Sequence, residues 1–246
     1  MAARKAGIGS LEVRPVKSLE EWHLTVGLQR EIWGFDETDE VPPRLFGVIL
    51  RTGGSCLGAF LKGEMVGFSL AFAGLKSSGA RYWHSHMVGV RPSLHGRGIG
   101  YRIKLAQREA ALAAGVERIE WTFDPLRARN AHFNVTKLGT VAHEYLPDFY
   151  GTTSSDLHGG LPTDRLVAVW HLRSRRVADR VLGLEPAPAR GSLLVEIPSA
   201  IERLPRAEAL AARERLRAEF PAAFARGFRV TGFTRGPTTA TYHLDR

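Results

Sequence analysis

The chain has a single cysteine, Cys56, in 246 residues, so no intrachain disulfide can form and a reducing, cytoplasmic compartment is the expected one. No apolar run approaches the roughly 20 residues that a membrane span needs. Arg4 and Lys5 are not followed by an apolar stretch, so no secretory signal is expected there. Negative charge is in short supply: 25 Asp and Glu stand against 34 Lys and Arg, for a formal net charge of +9. Such an excess draws in anions, whether nucleic acid, an anionic membrane or a small phosphate. The basic residues are scattered, most of them arginine, with no zinc-finger spacing and no basic zipper region. Neither nucleic acid nor a membrane is therefore expected as a partner. His84-Ser85-His86 has no evident third ligand, so no metal is expected.

What the chain does have is a glycine-rich turn between a strand pattern and a helix pattern, within residues 83–115. His84, His86, Val88 and Val90 alternate with Ser85, Met87 and Gly89, which predicts a strand with the histidines on one face. Pro92 cannot donate to a sheet ladder and ends the strand near Arg91. Ile99, Ile103, Ala106, Ala110 and Ala113 recur at helical spacing, and Gly115 supplies a stop. A turn of this kind leaves backbone N–H groups at a helix start, where the dipole also suits a phosphate. A P-loop would need Gly-Lys-Ser/Thr, whereas this turn ends Gly98-Ile99-Gly100-Tyr101. A dinucleotide fingerprint needs a third glycine where Tyr101 stands.

The same residues resemble the pyrophosphate loop of the GCN5-related N-acetyltransferases, the GNAT superfamily. That motif is Gln/Arg-x-x-Gly-x-Gly/Ala after a strand written Val-x-Val-x-Pro. Here Val88-Gly89-Val90-Arg91-Pro92 precedes His95-Gly96-Arg97-Gly98-Ile99-Gly100, with His95 in place of Gln or Arg.

The flanking chain has the order of that superfamily over residues 11–172. Residues 1–10 read as a loose tail, and residues 11–16 as a strand. Ser18 and Glu21 form a capping box that opens a helix through Trp22, Val26 and Trp33 to Gly34. Pro42-Pro43 opens a second helix that stops at Gly53-Gly54. Strands at 55–61 and 65–73 are joined by Lys62-Gly63-Glu64, a hairpin signal. Beyond Gly115, residues 116–123 read as a strand and Asp124-Pro125 ends it. Ala131, Lys137, Leu138 and Gly139 align with the GNAT helix written Asn…Ala…Leu-Tyr-Glu-Lys-x-Gly-Phe, but its tyrosine is Val135 here and its phenylalanine Thr140. Residues 143–163, with Tyr145, Phe149, Tyr150 and the run Gly151-Thr152-Thr153-Ser154-Ser155, read as a loop over the site. Residues 166–170 read as a strand.

The resemblance implies an α/β (α+β) GNAT fold, a mixed and mostly antiparallel sheet flanked by helices, over residues 1–172. Residues 173–246 then form an α/β extension: a helix at 174–182, a linker at 184–191, a strand at 193–197, a helix with Ala209, Leu216 and Phe220 on its stripe and a kink at Pro221, and a hairpin. It is read either as packing that shapes an acceptor pocket or as a degenerate half-repeat of the GNAT domain. A homodimer through it is compatible with the sequence.

The resemblance further implies an acyl-CoA-dependent N-acyltransferase acting by direct attack. Acetyl-CoA or another acyl-CoA, such as succinyl-CoA, is the implied cosubstrate, and the amine of a small molecule such as an amino acid the acceptor. It assigns the backbone of Val88, Gly89 and Val90 to the pantetheine arm, with the Val88 N–H toward the thioester oxygen. His95, Gly96, Arg97, Gly98, Ile99 and Gly100 go to the pyrophosphate, and Asn130 or Asn134 to the coenzyme arm. Several family members carry a catalytic glutamate eleven residues before the first motif position, and that count from His95 reaches His84. An imidazole, with an unperturbed pKa of about 6.5, suits a general base at neutral pH. His86 is the substitute, and two satisfied strand histidines are the alternative for both. Glu120 and Asp124 are read as ligands of the acceptor ammonium, or else as a surface charge and a turn residue. Tyr145 or Tyr150 stands in for the missing tyrosine acid, or else anchors the loop. The rival function is a non-catalytic coenzyme A-binding module, a sensor or scaffold, which Val135 favours.

Overall fold

The structure, a computed structural model, describes residues 10–151, 161–184 and 193–246. The expected tail at 1–9, the run at 152–155 and the linker at 185–191 lie outside the described residues. The chain divides into two compact units between Ile119 and Glu120.

The first unit contains β1 (Leu11–Pro15), α1 (Leu19–Trp33), α2 (Pro43–Arg51), β2 (Ser55–Leu61), β3 (Glu64–Leu75), β4 (Arg81–Val90) and α3 (Ile99–Ala113). Its strands pair antiparallel in chain order. Lys62 and Gly63, at φ 52° and 83°, make the two-residue turn whose twist suits a tight hairpin. Ser18 caps α1 by accepting the Glu21 N–H at 3.2 Å. Glu21 reaches back to the N–H of Lys17 at 3.1 Å, so the capping box closes one residue further out.

Two apolar layers cover this sheet. On one face Leu28 of α1 and Phe46 and Ile49 of α2 pack with Cys56, Phe68, Leu70 and Met87. On the other, Ile99 and Ile103 of α3 pack with Leu11, Ala59 and Val66, and Val88 and Val90 join them. Gly89 belongs to the first layer. A Cβ there would lie 2.7 Å from Trp33 Cη2 and 2.8 Å from Ile32 Cδ1, so glycine lets the end of α1 sit directly on β4.

The second unit begins within β5 (Arg118–Phe123) and continues through α4 (Ala128–Ala131), a π-helical turn at His132–Lys137, β6 (Tyr145–Leu146), β7 (Arg165–His171) and α5 (Arg175–Val181). It ends with β8 (Leu193–Pro198), α6 (Arg206–Ala225), β9 (Arg229–Arg235) and β10 (Thr239–Asp245). β7 lies between β5 and β6, and β8, β10 and β9 form a separate antiparallel sheet with β10 in the middle. The α6 helix runs on through Pro221. Phe220 stacks on Tyr145 (5.8 Å between centroids) and meets Tyr242 edge-on (5.3 Å). The Tyr242 hydroxyl donates to the Pro125 carbonyl at 2.7 Å. Residues on both sides of Leu172 therefore share one core. The elements expected from the sequence are present, including a mixed, mostly antiparallel α/β architecture. No helix among the described residues is long and apolar enough to cross a membrane.

Candidate functional site

The glycine turn is built outward from the end of β4. Arg91, next in the chain, is held by Glu31 (3.1 Å) and by Glu64. A short 3-10 turn at Pro92–Leu94 follows, and then His95. The His95 ring Nε2 lies 2.8 Å from the Val90 carbonyl oxygen. A carbonyl only accepts, so Nε2 carries the hydrogen, and the ring ties the turn to the strand it leaves. Gly96 and Gly98 sit at φ 78° and 82°, where an L side chain costs about 1–2 kcal/mol. A Cβ at either would meet no heavy atom within 4 Å, so both backbones border open space. Gly98 is the N-cap of α3 and makes no side-chain cap bond, and the first turn of the helix carries no acidic residue. The leading N–H groups and the positive end of a 15-residue helix are thus left to an external anion. Gly100 differs from the other two. Its φ is ordinary and an added Cβ would find only Val90 Cγ2 at 3.9 Å, so the fold does not require glycine there.

Strand β4 carries the two histidines, and its pairing with β3 is irregular where they sit. Ser85 pairs with Ala71 and Met87 with Leu70, so His86 is the extra residue of a β-bulge. The bulge breaks the simple alternation expected from the sequence. Val88 and Val90 face α3, whereas His86 meets the Phe72 ring edge-on at 5.3 Å on the opposite face. His84 pairs with Phe72 across the ladder, and its ring centroid is 6.4 Å from that of His86. The histidines therefore share a face with each other but not with the valines.

His86 keeps solvent access, yet the protein around it, and then the His84 ring, push its pKa down to about 4. The folded protein keeps this ring neutral to a lower pH than the unfolded chain does. The resulting stability is intact above about pH 6.5 and drains away as the pH falls toward about 4. In a proton NMR titration the His86 ring resonance should move with a midpoint near 4. A midpoint near 6.5 would contradict this reading of its surroundings.

Behind the bulge, on the α3 side, lies a buried polar group that the sequence pattern did not single out. Lys104 is 2% exposed, Ser85 4% and Gln107 fully buried. The Lys104 amine donates to Gln107 Oε1 at 2.8 Å and to Ser85 Oγ at 3.2 Å, and the Ser85 hydroxyl donates to Gln107 Oε1 at 3.1 Å. Burial holds the Lys104 pKa well below its usual value. The stripe predicted for α3 ran through Ala106, Ala110 and Ala113, but the buried face is Ile99, Ile103, Lys104, Gln107 and Ala111. The available signal was the three-residue spacing of Lys104 and Gln107 beside Ile103.

The remaining expected site residues belong to the second unit. Asn130 is exposed, next to the end of α4. Asn134 is buried, and its Oδ1 accepts the Trp121 indole N–H at 3.2 Å. Glu120 is buried on β5, which excludes the surface-charge alternative. Asp124 is engaged on both oxygens: Arg213 reaches them at 3.2 and 3.1 Å, and the Leu126 N–H adds a bond at 2.9 Å. That is a turn-forming and ion-pairing role, which leaves little of this carboxylate for an acceptor ammonium. The Tyr145 hydroxyl donates to buried Asp164 at 2.6 Å. Burial and that bond raise its pKa above the usual phenol value, so it is a weak proton donor. Arg217 closes on the same Asp164 with two bonds at 2.8 Å. Tyr150 bonds Thr122 at 2.9 Å. Val135, in the place of the family tyrosine, is fully buried in the π-helical turn. No group of three His, Cys, Asp or Glu among the described residues could hold a metal ion.

Residues 18–139 match the family model described as the acetyltransferase (GNAT) family. No curated protein matches the chain in sequence. Among solved structures, the chain is similar to the ribosomal-protein-S18-alanine N-acetyltransferase of Escherichia coli, at 10% identity and a TM-score of 0.52, over 67% of this chain and 95% of that one. It is similar to a putative GNAT-family acetyltransferase of Desulfovibrio desulfuricans, at 15% identity and a TM-score of 0.53, over 66% of this chain and 99% of that one. A GNAT-family acetyltransferase of Streptococcus pneumoniae matches at 16% identity and a TM-score of 0.52, over 65% of this chain and 98% of that one. At these identities the likeness is one of fold.

Proposed function

This chain belongs to the acetyltransferase (GNAT) family, and from that premise we propose that it moves an acyl group from an acyl-CoA to the amine of a small molecule. The observation that carries the proposal is the turn at Gly96 and Gly98. It has two glycines at positive φ beside open space and a helix start without a side-chain cap. That arrangement suits a pyrophosphate, and Arg97 adds a further positive charge. Acyl-CoA is the substrate that brings the activated acyl carbon as a thioester. The backbone of Val88, Gly89 and Val90 is assigned to its pantetheine arm, and the Val88 N–H to the thioester oxygen as it gains charge. His95 holds the turn against Val90 and remains a candidate beside the pyrophosphate. His84 is assigned the proton of the acceptor amine, with His86 beside it as a neutral neighbour. Asn130 and Asn134 remain candidates for the coenzyme arm, and Glu120 for the acceptor. The acceptor is read as a small amine such as an amino acid, and the acyl group as acetyl or succinyl.

Thermal shift with coenzyme A, acetyl-CoA and succinyl-CoA tests the loop directly, because a ligand of the native state raises the melting temperature with its affinity. All three are expected to stabilise the protein. Gly100→Ala should leave the unliganded melting temperature level or slightly higher, since alanine favours a helix by up to about 1 kcal/mol, while reducing the coenzyme shift. A full shift in Gly100→Ala would remove this loop as the coenzyme site.

Val135 supports a second reading, a coenzyme A-binding module without turnover, because an apolar side chain stands where the family has a proton donor. Coenzyme stabilisation without acyl transfer to any amine would favour it.

A further inference from the structure

The second unit has a cavity of about 260 Å³ where the end of β7, the start of α5 and strand β9 meet. Its lining includes His171, Ser174, Arg176, Arg229 and Thr231. None of these has a place in the proposed transfer chemistry. The volume is below the roughly 300–1,000 Å³ of pockets for drug-sized ligands, which points to a small occupant.

Arg176 is held in place. Its Nε donates to the Gly139 carbonyl at 2.9 Å, and its Nη2 to the carbonyls of Val135 (3.4 Å) and Thr231. Three backbone acceptors, two from the turn at 135–139 and one from β9, fix the plane of one guanidinium, so little further ordering is needed to bind a ligand. Arg229, exposed on β9, lines the same cavity. Elsewhere the chain closes such arginines on carboxylates: Arg30 on Glu40, Arg91 on Glu31, Arg213 on Asp124 and Arg217 on Asp164. Among the described residues neither Arg176 nor Arg229 makes an ion pair. Burial, and then the charge of Arg180, lower the Arg176 pKa to about 10; Asp245 opposes them, and Arg229 adds a smaller lowering than Asp245 offsets. Arg176, Arg180 and Arg229 thus stand together here against one carboxylate, that of Asp245, which lies opposite Arg229 in the ladder. The Thr231 hydroxyl is turned toward Asp245 and the Ser174 hydroxyl toward the His171 carbonyl (2.8 Å).

We propose that this cavity binds a phosphate group, free or as a small monoester, between Arg176 and Arg229. Such an oxyanion accepts several charge-assisted hydrogen bonds at once and offsets the repulsion between the two cations. The site is independent of the glycine turn of the first unit.

Titration calorimetry with inorganic phosphate and with glycerol 3-phosphate, at constant low ionic strength and with saturating coenzyme A to occupy the turn, tests this on the whole chain. Saturable binding of at least one of the two is expected, and comparison of their affinities tells whether the free ion or the ester is preferred. Arg229→Gln is on the surface and should leave the melting temperature unchanged while weakening phosphate binding about tenfold. Arg203→Gln, an equally exposed change in the same unit, should leave it unaltered. Absence of saturable binding of either compound, unchanged affinity in Arg229→Gln, or equal losses in the two variants would overturn the proposal.

Discussion

Replacing His84 by alanine is expected to lower kcat about 100- to 1,000-fold and to leave the stabilisation by coenzyme A intact. An acceptor amine is cationic at neutral pH and becomes a nucleophile only when it loses a proton. A positioned base supplies roughly 10²–10⁴ of the rate for such a step. His84 is half-buried on β4 and paired across the ladder with Phe72, on the regular side of the bulge. His86 is the poorer base, because a ring whose pKa is pushed down to about 4 takes up protons weakly. His86→Ala should therefore cost less, about tenfold or below. The contrast matters because two histidines on one strand face also occur as ordinary packing. A His84→Ala protein with kcat within threefold of the parent would remove the base assignment.

The second large effect is on stability. Arg213→Leu should destabilise the fold by about 3–5 kcal/mol, which for a chain of this size lowers the melting temperature by roughly 10 °C. Arg213 of α6 is 2% exposed, and its two terminal nitrogens meet the two oxygens of Asp124, which is itself at 10% side-chain exposure. Removing the guanidinium alone leaves a buried carboxylate without its counter-charge. The double replacement Asp124→Asn with Arg213→Met should recover most of the loss, because neither charge is then buried. Arg215, whose pair with Glu219 is exposed, should cost under about 1 kcal/mol when changed to alanine. Chemical denaturation measures all three. A loss below about 1 kcal/mol in Arg213→Leu would return Asp124 to the residues available for an acceptor.

The glycine turn was legible because its signals are local. Positive φ at Gly96 and Gly98, the stop at Pro92 and the helix after them follow from residue types at fixed offsets. The capping role of Ser18 and the tight turn at Lys62 and Gly63 could be read for the same reason. The bulge at His86 was not legible. Nothing in an alternating pattern says which residue a partner strand will skip, and one skipped residue moves every later side chain to the other face. The burial of Lys104 and Gln107 was missed because apolar identity is a proxy for burial, and a polar group satisfied inside the fold defeats the proxy. For Asp124 the sequence offers an acceptor ligand or a turn residue before Pro125, but its partner Arg213 lies 89 positions away on α6 and no local signal connects the two. Tyr145 is similar: its partner Asp164 is 19 residues on, beyond the reach of any local pattern.

The most direct measurement is the release of free coenzyme A from acetyl-CoA, followed with a thiol reagent across a panel of amino acids and small amines. The protein's own thiol interferes little. Cys56 is 1% exposed and burial pushes its pKa up to about 12, so it carries almost no thiolate at assay pH. Release that depends on the amine, saturates in both substrates and falls in His84→Ala is the expected result. Stabilisation by coenzyme A with no amine-dependent release from any member of the panel would contradict the transferase and leave a coenzyme-binding module.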